Sequence, residues 1–188
     1  MHLSTGKKII LGSLAVGLAI GAAFWTSSKA MADKSLSVGD QAPDFTLPDQ
    51  DNKPITLTDL KGKVVLLAFY PADFTKGCTF EAHSLTAANK DLLTRGVQVF
   101  GVSVQDATSH SKFCHQEGIP YTLLADTKHT VSEQYSGLYP GIGLAKRVTF
   151  IIGKDGKIVY IDSNVNGHLQ TCGADWITWL DQHPEVTK

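Results

Sequence analysis

Apolar residues fall along the chain in a few dense runs separated by polar, glycine-marked breaks. The densest spans 64–70, Val-Val-Leu-Leu-Ala-Phe-Tyr. A continuous run of this length, with β-branched and aromatic members, predicts a strand buried on both faces of a sheet, and Pro71 ends it. Similar runs at 97–104 and 147–152 predict two more strands. Between the first two, Leu85, Ala88 and Leu92 recur at helical spacing and Arg95 and Gly96 give a stop, so 78–95 reads as a helix. Strand, helix and strand in this order form a βαβ unit with parallel strands and a right-handed crossover. A second helix is expected from Asp106 or Thr108 to about Glu117, where Gly118 and Pro120 stop it. A short strand at 121–124, a helix at about 129–135 and a glycine-rich loop at 139–143 follow. Asp155-Gly156 between 147–152 and 158–161 marks a hairpin turn, so that pair is antiparallel. Trp176, Trp179 and Leu180 share one face of a last helix at about 174–182. Upstream, 33–60 carries only short apolar segments at 44–47 and 55–57, which suit a loop and a small hairpin.

A parallel βαβ half followed by an antiparallel hairpin and a closing helix is the thioredoxin-like pattern: an α/β fold with a central mixed sheet and helices on both faces. The composition agrees, since 188 residues at 43% hydrophobic and 19% charged suit a globular domain with a sizeable core. A formal net charge of −1 gives no reason to expect nucleic acid as a partner.

Residues 1–32 stand apart. Lys7 and Lys8 precede an uncharged run from 9 to 25, and Ala30-Met31-Ala32 follows a small polar patch. That is the layout of a secretory signal cut before Asp33. As a helix the run would span about 26 Å, so an uncleaved membrane anchor is the competing reading. Either way, 33–188 is expected to form the folded domain, exported to the periplasm or the outer face of the cytoplasmic membrane, with membrane contact only through an uncleaved leader. Without the leader, 14 Lys and Arg face 18 Asp and Glu, a net charge of −4.

Export also changes how Cys78, Cys114 and Cys172 are read, because disulfides persist in an oxidising compartment. Three is odd, which leaves at least one thiol for chemistry, intermolecular pairing or burial. Cys78 follows the first strand and opens the first helix. There it faces unpaired N–H groups and the positive end of the helix dipole, both favourable to a thiolate. It also lies just beyond the carboxyl end of a parallel strand, where open α/β sheets put their sites.

Around Cys78 the sequence resembles a known family. Pro71, Thr75 and Cys78 fit the P-x-x-x-T-x-x-C motif of peroxiredoxins, and Phe69-Tyr70, Gly77-Cys78-Thr79 and Glu81 are similar to the bacterioferritin comigratory protein (Q-type) branch. Further similar landmarks are Val38 with Gly39-Asp40-Gln41-Ala42-Pro43-Asp44-Phe45, the segment 122–126, and 147–152 followed by Asp155-Gly156. The resemblance implies a peroxidase that needs no metal, haem or flavin, because sulfur carries the redox chemistry. It makes Cys78 the peroxidatic thiol, gives Thr75 and the Cys78 N–H the task of binding peroxide, and assigns the guanidinium to Arg147. Pro71, which has no donor, shields the site.

The resulting sulfenic acid must be resolved by another thiol. Many Q-type members carry that cysteine five residues after the first, where this chain has His83; others place it in the next helix, where Cys114 lies. The expectation is therefore a Cys78–Cys114 disulfide, reached by local unwinding and re-reduced by a thioredoxin-like dithiol protein. Q-type relatives favour a monomer. Cys172 reads as a buried thiol, His83 as an exposed helical histidine, and Glu81 as a residue favourable to the helix dipole. His110 and Cys114, four apart, lack the further ligands that a metal needs. The competing functions are an exported thiol–disulfide oxidoreductase, which would need a second cysteine where Glu81 stands, and a non-enzymatic holdase on the same fold.

Overall fold

The structure is a computed structural model that describes residues 35–188; the leader predicted at 1–32 lies outside them. A small antiparallel hairpin, β1 (Thr46–Pro48) with β2 (Pro54–Thr56), precedes the main sheet. The five strands of that sheet are β3 (Val64–Phe69), β4 (Val97–Ser103), β5 (Thr122–Ala125), β6 (Val148–Ile152) and β7 (Ile158–Asp162), in the order β5-β4-β3-β6-β7. β3 runs parallel to β4, β4 parallel to β5, and β6 antiparallel to both β3 and β7. All six residues of β3 are buried, as its unbroken apolar run requires of a central strand.

The alternation of β3 sends its side chains into two cores. Val64, Leu66, Ala68 and Tyr70 pack with α1 (Lys76–Thr94), with Phe113 of α2 (Ala107–Glu117) and with α4 (Cys172–Gln182). Val65, Leu67 and Phe69 face the hairpin side, where Phe45, Leu57, Phe150 and the residues Val131 and Tyr135 of α3 (Thr130–Tyr135) complete the second core. The mixed sheet with helices on both faces is the expected thioredoxin-like fold. A terminal turn, α5 (Pro184–Thr187), and 3-10 segments at Leu57–Leu60 and Val165–Gly167 carry no apolar signature and were not expected. Among the described residues no helix is long and apolar enough to cross a membrane.

Most boundaries fall within a residue or two of expectation, and three of the differences have a visible setting. α1 begins at Lys76, because Thr75 caps it through extended backbone (φ −82°, ψ 144°) rather than through a side-chain hydrogen bond, and no sequence signal marks that kind of start. β5 lies one residue later than expected, since its register with β4 begins at the Phe100–Thr122 pair. α4 begins at Cys172, two residues early, because Gly173 lets it settle against α1, where the Gly173 N–H donates to Ser84 Oγ at 3.0 Å. Asp106, not Thr108, caps α2: its carboxylate accepts from the Ser109 N–H at 2.8 Å, and Gly118 (φ 65°) closes the helix in the left-handed region.

Candidate active site

The chain leaves β3 at its carboxyl end and turns sharply before α1. Tyr70 still bonds into the parallel ladder, its N–H donating to the Val102 carbonyl at 3.0 Å. Phe74 takes φ 60°, an uncommon conformation for a residue with a bulky side chain, held here by an edge contact of its ring with Phe113 at 5.1 Å. Thr75 follows, its hydroxyl donating to the Ala72 carbonyl at 3.1 Å. The first helical bond runs from the Thr79 N–H to the Thr75 carbonyl at 2.9 Å. Cys78, third residue of α1, therefore precedes the first i→i−4 bond, and its N–H belongs to the open end of the helix.

Arg147 reaches the same place from the strand next to β3. It sits one residue before β6, whose Val148 pairs with Phe69 at the end of β3, so the antiparallel register brings it to the turn. Each nitrogen of its buried guanidinium is used. Nη2 donates to Cys78 Sγ at 3.2 Å, Nε donates to Asn166 Oδ1 at 2.9 Å, and Nη1 donates to Glu81 Oε2. Glu81 stands one helical turn after Cys78 and is buried with it. Burial raises its carboxyl to about 7 against the pull of Arg147. Its Oε1 has no hydrogen-bond partner among the described residues.

The loop that holds Asn166 is tied down by His168, which bonds Asp162 Oδ2 through Nε2 at 2.9 Å and Asp175 Oδ2 through Nδ1 at 2.8 Å. Asp162 Oδ2 also accepts from the Trp176 indole at 2.9 Å.

The residues singled out from sequence thus divide. Cys78 and Arg147 are in contact, with Thr75 and Pro71 in the turn that leads to them. Cys114 lies on α2, half-buried, and all three cysteines are free thiols. Burial pushes the Cys114 thiol up to about 11, with Asp73 and Asp51 adding to it. Cys172 is fully buried and its thiol is raised to about 12 by that burial. His83 is half-exposed and bonds Glu117 of α2 at 3.0 Å. His110 is buried and engaged by Asp73 and the Leu124 carbonyl.

Glu81 is the correction. Expected to serve the helix dipole, it holds the arginine of the site instead. Its spacing of three from Cys78 was the available signal; its burial and its partner 66 residues away were not visible.

The arrangement is a nucleophile with a cation and helix N–H groups around it, suited to receive negative charge on a departing atom. Comparison with known proteins agrees. Residues 38–161 match the AhpC/TSA family. The Peroxiredoxin Bcp of Escherichia coli is 37% identical over 159 residues, covering 79% of this chain and 97% of that protein. The crystal structure of Peroxidoxin BcpB from Mycobacterium tuberculosis superposes with a TM-score of 0.68 at 32% identity, over 76% of this chain and 94% of that one. A Xanthomonas campestris bacterioferritin comigratory protein, studied for alkyl peroxide reduction, shares the fold with a TM-score of 0.71 at 22% identity, over 83% of this chain and all of that one (100%).

Proposed function

The chain belongs to the AhpC/TSA family and is a thiol-dependent peroxidase, and from that premise we propose that Cys78 is the sulfur that peroxide oxidises. One observation carries the reading: the buried guanidinium of Arg147 donates to Cys78 Sγ at 3.2 Å, beside the open N–H end of α1. The guanidinium and the helix N–H groups are the donors that meet the charge gathering on the departing oxygen.

The thiolate attacks one peroxide oxygen. The S–O bond forms as the O–O bond breaks, the sulfur loses two electrons, and the departing oxygen takes up a proton to leave as water or alcohol. The Thr75 hydroxyl and the Cys78 N–H align the peroxide, while Pro71 closes the turn without a competing donor. The Cys114 thiol gives up its proton and, as a thiolate, attacks the sulfenic sulfur; S–S forms, S–O breaks, and the departing hydroxide takes up a proton to leave as water, so that the thiol and the sulfenic acid give one disulfide and one water. An external dithiol protein of the thioredoxin kind reduces the disulfide by exchange.

Hydrogen peroxide and organic hydroperoxides are both proposed substrates. The second class is supported by a shallow depression lined by Phe80, His168 and Leu169, and by Leu169 packing beside Gly77. A monomer exported through the leader at 1–32 completes the proposal.

The test is single-turnover peroxide consumption by the purified chain. Cys78→Ser should abolish it. Cys114→Ser should keep the first turnover and lose cycling with a dithiol donor. Mass spectrometry of peroxide-treated protein should find the Cys78–Cys114 crosslink, and its absence would withdraw Cys114. N-terminal sequencing of protein from a periplasmic fraction tests export and cleavage.

A further inference from the structure

Next to the site lies a buried polar cluster that the peroxide chemistry does not use. His110, on α2, is completely shielded from solvent. Its Nδ1 bonds Asp73 Oδ2 at 2.9 Å, and its Nε2 faces the Leu124 carbonyl at 3.2 Å and Ser103 Oγ at 3.5 Å. Asp73 collects two further bonds, from Ser109 Oγ at 2.6 Å and from the Tyr70 hydroxyl at 2.7 Å. Burial alone would raise the Asp73 carboxyl, but the bonds from His110, Ser109 and Tyr70 outweigh it and hold it below its ordinary value. A buried carboxylate with this many donors is firmly placed.

The position of the cluster gives it meaning. Asp73 belongs to the turn that delivers Thr75 and Cys78, whereas Ser109 and His110 belong to α2, one turn before Cys114. The cluster therefore joins, inside the protein, the two segments that carry the two sulfurs. The cluster is the polar part of what holds α2; the apolar part is Ala107 and Phe113, whose ring meets Tyr70 and Phe74. Of the eleven residues of α2 only Ala107, His110 and Phe113 are buried. A further link to α1 runs between half-exposed His83 and Glu117 at 3.0 Å. In this place Cys114 is kept as a thiol, with the Asp73 carboxylate among the causes. Release of α2 would both free the sulfur to move and let it ionise in water.

We propose that the Asp73–His110 cluster is a latch whose opening sets the rate at which Cys114 resolves the sulfenic acid at Cys78. This rests on the assignment of Cys114 as the resolving thiol. Asp73 and His110 act as positioning residues for the second sulfur: closed, the latch keeps α2 and Cys114 in place, and open, it commits the enzyme to the disulfide. The same latch sets how long the sulfenic acid stays exposed to a second peroxide, and hence how readily Cys78 passes to sulfinic acid.

The test uses the full chain, pulsed with peroxide and quenched with an alkylating reagent, with sulfenic, disulfide and sulfinic forms counted by mass spectrometry. His110→Gln is expected to form the Cys78–Cys114 disulfide about tenfold faster or more, the scale of losing one hydrogen bond to a buried charge. Sulfenic acid formation should stay within about twofold, and half-sulfinylation should need several-fold more peroxide. Ser109→Ala, which removes only one bond to Asp73, should show a smaller acceleration and serves if His110→Gln does not fold. Leu180→Ala, a destabilising change on α4, should not accelerate resolution; equal acceleration there would mean general loosening and overturn the latch. A crosslink that forms at the wild-type rate in both latch variants overturns it too, while leaving Cys114 in its role. No crosslink in the wild type instead overturns Cys114, and the latch with it.

Discussion

Arg147 spends its charge on two buried partners, Cys78 Sγ and Glu81, and takes its aim from Asn166. A lysine could supply the charge but not the three-way fork. Arg147→Lys should therefore slow single-turnover peroxide consumption by about 100-fold, the scale of losing preorganised donors at a reacting centre. Glu81 makes a prediction in pH. Its carboxyl stands at about 7 in the folded protein against 4.5 for the ordinary group, because burial disfavours the charge more than Arg147 restores it. A raised acid stabilises the native state fully below its unfolded value, and that contribution is lost as pH rises through the folded value. Urea midpoints should show Glu81→Gln gaining on the wild type between pH 5 and pH 8. A constant gap across that range would refute the raised carboxyl.

At the scale of elements, the tightest joint is between α1 and α4. A Cβ on Gly173 would stand 2.5 Å from the Ser84 carbonyl oxygen and 2.7 Å from Ala88 Cβ. Gly173→Ala should cost about 1–3 kcal/mol and lower the melting temperature by roughly 5 °C, as calorimetry would report. This joint was not legible in the sequence, which placed the start of the helix at about 174, after Gly173. The strands were, because β3 is an unbroken apolar run and β4 and β6 are mostly apolar, broken only by Gln98, Gly101, Ser103 and Thr149, and the hairpin declared itself through Asp155-Gly156 with Gly156 at φ 81°. Cys78 could be placed at a helix start from the strand and helix pattern alone. Arg147 could not; it entered through family resemblance, since only the β3–β6 register brings it to Cys78. The Glu81–Arg147 and Asp73–His110 pairs span 66 and 37 residues. Their partners are set by strand order, which local patterning does not encode.

For the whole molecule, the order β5-β4-β3-β6-β7 centres the sheet on β3 and gathers the turn, α2 and the Arg147 segment at one end of it. A buried central sheet beside a helix that buries only three of its eleven residues should respond unevenly to oxidation. Hydrogen exchange should be faster across α2 in the disulfide form than in the dithiol form, while amides of β3 and β6 keep their protection. Uniform change throughout the domain would contradict that division of stability.

Trp176 adds a practical consequence. Its indole is sealed from solvent, held by Asp162, and lies in the same apolar core as Cys78 and Phe113. The unwinding proposed for the disulfide step should alter the polarity around that ring and so give the enzyme its own optical gauge of redox state. The emission difference between the wild type and Trp176→Phe should isolate that gauge from the other tryptophans. Each catalytic cycle would then be visible as a rise and fall in intrinsic fluorescence, without a label.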